Sequence, residues 1–118
     1  MRNNNQFSRN NPINQIEIEN EILRLLEELE EHTEAFEGLC IDFAKKESVY
    51  KGTWAQEYLG AKGSIKERES WADYKTDTLA YEYKIAEALV KTKREKLLSV
   101  RTAIDAMRTL NANVRVQV

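Results

Sequence analysis

The sequence predicts an all-α fold: a long antiparallel two-helix hairpin, coiled-coil-like, that oligomerises into a helical bundle or ring. Three observations predict it. Apolar residues recur at spacings of four and three through most of the 118 residues. There is one proline, and two of the four glycines fall in "GAKG", Gly60–Gly63, at the midpoint of the chain. Charged residues make up 32% of a composition dominated by Glu, Lys, Ala and Leu, which is a helical one.

The elements follow in order. Residues 1–11, "MRNNNQFSRNN", contain five asparagines and little to bury, and are expected to be a flexible arm. Asn11-Pro12 reads as a helix start, with an N-cap residue followed by proline at the first helical position. The first helix is expected over 12–59. Its heptad positions are Ile22, Leu26, Leu29, Thr33, Phe36, Cys40, Phe43, Glu47, Tyr50 and Trp54, eight of the ten being apolar. Gly38 and Gly52 weaken it, and Gly52-Thr53 is the expected place for a kink or break.

Residues 60–63 are expected to be the turn. A Walker-type loop needs different glycine spacing after a strand, and a nucleotide-clamping Gly-x-x-Gly loop belongs to a domain with a sheet. A glycine ending one helix and another preceding the next cap suit a plain reversal. Ser64-x-x-Glu67 is a capping box that opens the second helix, expected over 64–112. Its seam reads Ile65, Glu69, Ala72, Thr76, Leu79, Tyr83, Ala86, Val90, Lys93, Leu97, Val100, Ile104, Met107 and Asn111. Residues 113–118 are expected to be a frayed tail. Each helix would be roughly 70 Å long. Folding about the turn brings Leu26 towards Leu97, Cys40 towards Tyr83 and Ile22 towards Val100, so the two seams coincide.

The net charge of −2 hides an asymmetry. Residues 14–47 carry eleven acids against three bases, or −8; residues 62–118 carry twelve bases against eight acids, or +4. Opposite charge suits two segments lying side by side. On one edge of the seam Glu30 and Glu37 face Arg94, Arg101 and Arg108, which are spaced by seven. On the other edge lie Leu25, Leu39, Leu89, Ala103 and Leu110, interrupted by His32 and Lys96. That greasy edge is the expected oligomer interface.

No apolar run approaches the ~18 residues that span a bilayer. The N-terminus has no apolar signal core, and the single cysteine, Cys40, cannot form an internal disulfide. The expected compartment is the cytoplasm, with no membrane partner. No catalytic constellation stands out: His32 lacks the Glu-x-x-His spacing of di-iron bundles, the acids of Glu27–Glu34 suit a solvated face, and Cys40 lies on the seam. No enzyme, metal, cofactor or small-molecule substrate is expected.

Two features remain. The basic run Lys91, Lys93, Arg94 and Lys96, with Arg101 and Arg108, either pairs with the acidic first helix or contacts phosphates. Trp71, Tyr74, Tyr81 and Ile85 form a ridge pointing away from the seam, among Lys62, Lys66, Arg68, Lys75 and Lys84. That ridge either packs on a neighbouring subunit or binds single-stranded nucleic acid, with aromatic faces stacking on bases and cations holding phosphates. The candidate nucleic-acid residues are Lys66, Arg68, Trp71, Tyr74, Lys75, Tyr81, Lys84, Lys91, Lys93 and Arg94.

The tract Tyr81–Arg115 carries an aromatic-Lys start (Tyr81, Tyr83, Lys84), a basic middle (Lys91–Lys96) and an Arg/Ile/Met/Arg close (Arg101, Ile104, Met107, Arg108). In these marks, and over roughly residues 20–112, the chain resembles small phage-encoded proteins similar to the UvsY recombination mediator. The resemblance implies an oligomeric single-strand binder that helps load a recombinase onto DNA coated by single-strand-binding protein, acting in the host cytoplasm. The alternative is a phage interaction protein that does not bind DNA: an assembly or scaffold factor, or an inhibitor of a host defence or nuclease complex.

Overall fold

The computed structural model describes residues 14–117. The expected arm over 1–11 and the Asn11-Pro12 helix start lie outside the described residues. Three helices account for nearly all of the rest: α1 (Gln15–Gly60), α2 (Ile65–Lys75) and α3 (Asp77–Gln117), with no strand among the described residues. The fold is the all-α helical hairpin that the sequence predicts.

Asn14 caps α1, its side-chain oxygen accepting a hydrogen bond from the Ile16 N–H at 2.7 Å. From there α1 runs unbroken through Gly38 and Gly52 to Gly60, so no helix break falls at Gly52. The discontinuity sits in the second half of the hairpin instead, at Thr76 between α2 and α3. Thr76 is 1% exposed. Its hydroxyl donates to the Ala72 carbonyl at 2.7 Å, the same oxygen that its backbone N–H reaches at 3.0 Å. A buried threonine that back-bonds in this way bends a helix locally. At the other end, α3 continues through the expected frayed tail to Gln117. Val114 extends the spacing of Met107 and Asn111 and is buried.

The chain reverses at Gly60–Ser64. Gly63 has φ +111°, a conformation that side chains disfavour, and a Cβ there would meet Glu67 Oε1 at 3.0 Å. The capping box forms as the sequence indicates. Ser64 Oγ accepts from the Glu67 N–H at 3.1 Å, and Glu67 Oε1 accepts from the Ser64 N–H at 3.0 Å.

The hairpin divides into two compact units. In the unit spanning Glu34–Arg94, rising positions on α1 meet falling positions on α2 and α3, which is the antiparallel signature. Phe43 and Tyr50 stack on Tyr83, with centroids 5.7 and 5.4 Å apart. Trp54 Nε1 donates to Asp73 Oδ1 at 2.8 Å, and Trp71 Nε1 donates to Glu57 Oε1 at 3.1 Å. The other unit comprises residues up to Thr33 and from Glu95 onward. Its core is Leu25, Val100 and Ile104, flanked by Leu29, Ala103 and Met107.

That core corrects the phase of the first seam. Leu25 is 6% exposed and Leu26 is 38% exposed, so the helix is turned by one residue relative to the expected Ile22–Leu26–Leu29 register. Leu25 and Leu29 face α3, and Ile18 is fully buried. Further along, Phe36, Cys40, Phe43, Tyr50 and Trp54 are half-buried, as the heptad reading expects. The phase shifts between Leu29 and Phe36, where half-buried His32 takes the inward position and Thr33 faces solvent. Thr33 returns its hydroxyl to the Leu29 carbonyl at 2.7 Å, which satisfies it without a partner on α3.

Candidate nucleic-acid interface

The aromatic ridge begins where the turn delivers α2. Tyr74 and Tyr81 are the most open of its members, 75% and 67% exposed, and Trp71 and Ile85 are about half exposed. Trp71 and Tyr74 lie 6.2 Å apart at a 46° tilt. Lys75 sits over the Trp71 ring at 5.3 Å, an arrangement in which the ring face attracts the ammonium. Trp71 is therefore held on two sides, by Lys75 on its face and Glu57 on its nitrogen. Tyr74 and Tyr81 offer both their rings and their hydroxyls to solvent.

The cations divide into engaged and open. Arg68 is not a surface cation: its Nε donates to the Tyr58 carbonyl at 3.2 Å, and its guanidinium lies 4.4 Å from the Tyr58 ring centroid. It satisfies a carbonyl at the end of α1, where the helix leaves such groups without partners. Tyr58 in turn stacks on Trp54 at 5.3 Å. The Ala61 N–H donates to the same Tyr58 carbonyl at 3.3 Å, so Arg68 shares this cap with the backbone, and its Nε and ring contact engage it at the end of α1. Arg94 lies over Phe36 at 5.8 Å, and Lys93 is half-buried. Lys66, Lys84 and Lys91 are exposed and hold no ion pair among the described residues. On α3, Lys84 and Lys91 are seven apart and flank the Tyr81 side of the ridge. Residues 62–94 carry eight bases against six acids, a net +2.

The turn itself is poorly suited to an anion. A groove of about 440 Å³ beside it is lined by Gly60, Ala61, Lys62, Glu67 and Trp71. The Glu67 carboxylate already takes the Ser64 N–H that a phosphate would need. The Ser64 hydrogen bonds hold the Glu67 carboxyl below its usual value, so it stays charged and repels anions.

The expected oligomer edge is placed differently in the two units. Leu25 is spent in the core against Val100 and Ile104, so it is not an edge residue, and Ala103 packs beside it. Leu39 and Leu110 are half-buried, and Leu89 remains 47% exposed. Among the described residues, no group of three or more His, Cys, Asp or Glu is placed to hold a metal ion. No described helix is long and apolar enough to cross a membrane.

The expected pairing of Glu30 and Glu37 with the arginine stripe does not form; neither holds an ion pair among the described residues. An ion pair between α1 and α3 lies on the opposite edge, where Lys96 reaches Glu28 at 3.5 Å. Sequence reasoning missed Glu28 and Arg24 as its organisers. Their spacing, Glu21-x-x-Arg24-x-x-x-Glu28, was the available signal. Comparison with protein-family models, characterised proteins and solved structures finds no match to the chain.

Proposed function

We propose that this chain is a non-enzymatic, oligomeric single-stranded-DNA-binding protein that assists recombination or replication by helping to load a recombinase. The observation that carries the reading is the exposed pair Tyr74 and Tyr81. Lys66, Lys84 and Lys91, exposed and without an ion pair among the described residues, lie on the same two helices, α2 and α3. Successive bases stack on such faces whatever their sequence, and the ammonium groups hold the phosphates between them. With a local net charge of only +2, stacking supplies more of the affinity than it does in strongly basic binders. The resemblance to UvsY-like phage proteins points the same way and supplies the recombinase and the single-strand-binding protein as partners.

Fluorescence anisotropy with a labelled oligonucleotide tests it. Binding is expected at low salt, weakening as salt rises. Tyr74→Ala and Tyr81→Ala are each expected to cost about 1–3 kcal/mol, or roughly tenfold in affinity. Lys84→Glu with Lys91→Glu should reduce the salt dependence. No binding at low salt would leave the other reading, a phage interaction protein that does not touch DNA. That reading is favoured by the exposed leucines of the unit containing both chain ends.

A further inference from the structure

The two long faces of the unit formed by residues up to Thr33 and from Glu95 onward are chemically unlike. One is closed by ion pairs. Arg24 bridges Glu21 at 2.7 Å and Glu28 at 3.1 Å, Lys96 reaches Glu28 at 3.5 Å, and His32 sits 3.5 Å from the same carboxylate. The opposite face is open. Leu23, Leu26 and Leu98 are 59%, 38% and 55% exposed on it. A groove of about 260 Å³ runs between Leu26 and Leu29 on α1 and Arg101, Ile104, Asp105 and Arg108 on α3, the two arginines outnumbering the one acid on the α3 side. Its charges are of both signs and largely unspent. In the groove, Arg101 holds no ion pair among the described residues and Arg108 reaches Asp105 only at 4.0 Å. Beside it on α1, Glu19 and Glu30 stand seven before and four after Leu26, on the same helix face. They hold no ion pair among the described residues, Glu19 accepting a hydrogen bond from Gln15 at 3.3 Å.

The geometry points to a second copy of this chain as the occupant of that face, docked about a two-fold axis. The charge pattern decides the arrangement. A two-fold axis perpendicular to the helices in the plane of the face would stack α1 on α1 and α3 on α3, setting acids against acids and arginines against arginines. An axis along the helices stacks each α1 on the other copy's α3. Glu30 of one copy then faces Arg101 of the other, and Glu19 faces Arg108. The exposed leucines close between them. Like charges directly opposed disfavour the first arrangement, and complementary ones select the second. The product is a four-helix bundle built from two hairpins. This face is opposite the Glu28 edge, and the inference does not rest on DNA binding.

The test is the mass in solution, measured by light scattering without nucleic acid, with helix content followed by circular dichroism. The wild-type chain is expected at a multiple of 13.7 kDa. Arg101→Glu with Arg108→Glu makes both helices acidic on this face, and Glu19→Arg with Glu30→Arg makes both basic. Each double variant alone is expected to fall to half the wild-type mass, and an equimolar mixture to recover it, because every opposed pair becomes complementary again. Leu23→Glu, at a position already open in the single chain, is expected to halve the mass without loss of helix. A wild-type monomer at high micromolar concentration, variants that keep the wild-type mass, or a mixture that does not reassemble would each overturn the proposal.

Discussion

At the residue scale, the turn shows how few side chains hold the reversal. Gly63 is required by its positive φ, so Gly63→Ala is expected to cost more than about 1 kcal/mol, read as a lower urea midpoint. Ser64→Ala removes the hydroxyl that caps Glu67 and is expected to cost about 1 kcal/mol in the same measurement. The capping carboxylate also sets a pH dependence. The folded-state value of Glu67 is held down, first by the Ser64 backbone hydrogen bond and then by its hydroxyl. A depressed carboxylate contributes stability that is complete above its unfolded-state value and is lost as pH falls through the folded one. Glu21 behaves alike, held down chiefly by its hydrogen bond to Arg24. Burial raises the Glu28 carboxyl, and the hydrogen bonds from Arg24 and Lys96 outweigh it and leave the value lowered. Melting temperature is therefore expected to fall as the protein is taken below the ordinary glutamate range, near pH 4. Glu67→Gln, which keeps an acceptor for the Ser64 N–H, is expected to flatten part of that fall. An unchanged pH profile in this variant would contradict the role of the cap.

At the scale of elements, the phase of α1 and the break at Thr76 are the two features that matter most. Leu25 and Leu26 are adjacent and chemically identical, yet only Leu25 is buried against Val100 and Ile104. Leu25→Ala is expected to cost about 2–3 kcal/mol, towards the lower end for core leucines because two helices cannot enclose it fully. Leu26→Ala should cost under about 1 kcal/mol in the single chain. Equal costs in denaturant unfolding would restore the register first expected. Heptad spacing made the existence of both helices legible, because four-three repeats are specific to helices. It left the phase ambiguous where Leu25 and Leu26 both fit an apolar stripe. At Thr76 the hydroxyl competes for the Ala72 carbonyl. Thr76→Val keeps the shape and removes the competitor, so amide exchange at Thr78–Ala80 is expected to slow as the helix straightens. The sequence signalled a kink at Gly52 because glycine weakens helices. A glycine flanked by well-paired helical turns stays helical, whereas a buried threonine has to place its hydroxyl somewhere.

At the scale of the molecule, charge is distributed by face as well as by sequence segment. The −8 and +4 halves suggested many ion pairs between the helices, and Lys96–Glu28 is one that joins α1 to α3. Other acids pair within their own helix, as Lys46–Asp42 and Lys51–Glu47 do at i, i+4. Such exposed pairs are worth little each, so most of the charge remains available to outside partners. Raising salt is therefore expected to weaken oligonucleotide binding and self-association while leaving the melting temperature of the single chain nearly unchanged. A melting temperature that falls steeply with salt would mean that interhelical charge, rather than the apolar seam, holds the hairpin together.

The helical hairpin, the turn at Gly60–Gly63, the Ser64–Glu67 cap and the positions of the aromatic ridge are all legible in the residue order. Each of these rests on local spacing or local hydrogen bonding, which neighbours along the chain specify. Packing of one helix on another settles that Leu25 is core and Leu26 is not, that Arg68 serves the end of α1, and that the arginine edge is the open one. Those outcomes depend on the rotation of one helix against another. A turn of one residue in a helix redirects every side chain by about 100°, and spacing alone does not fix it.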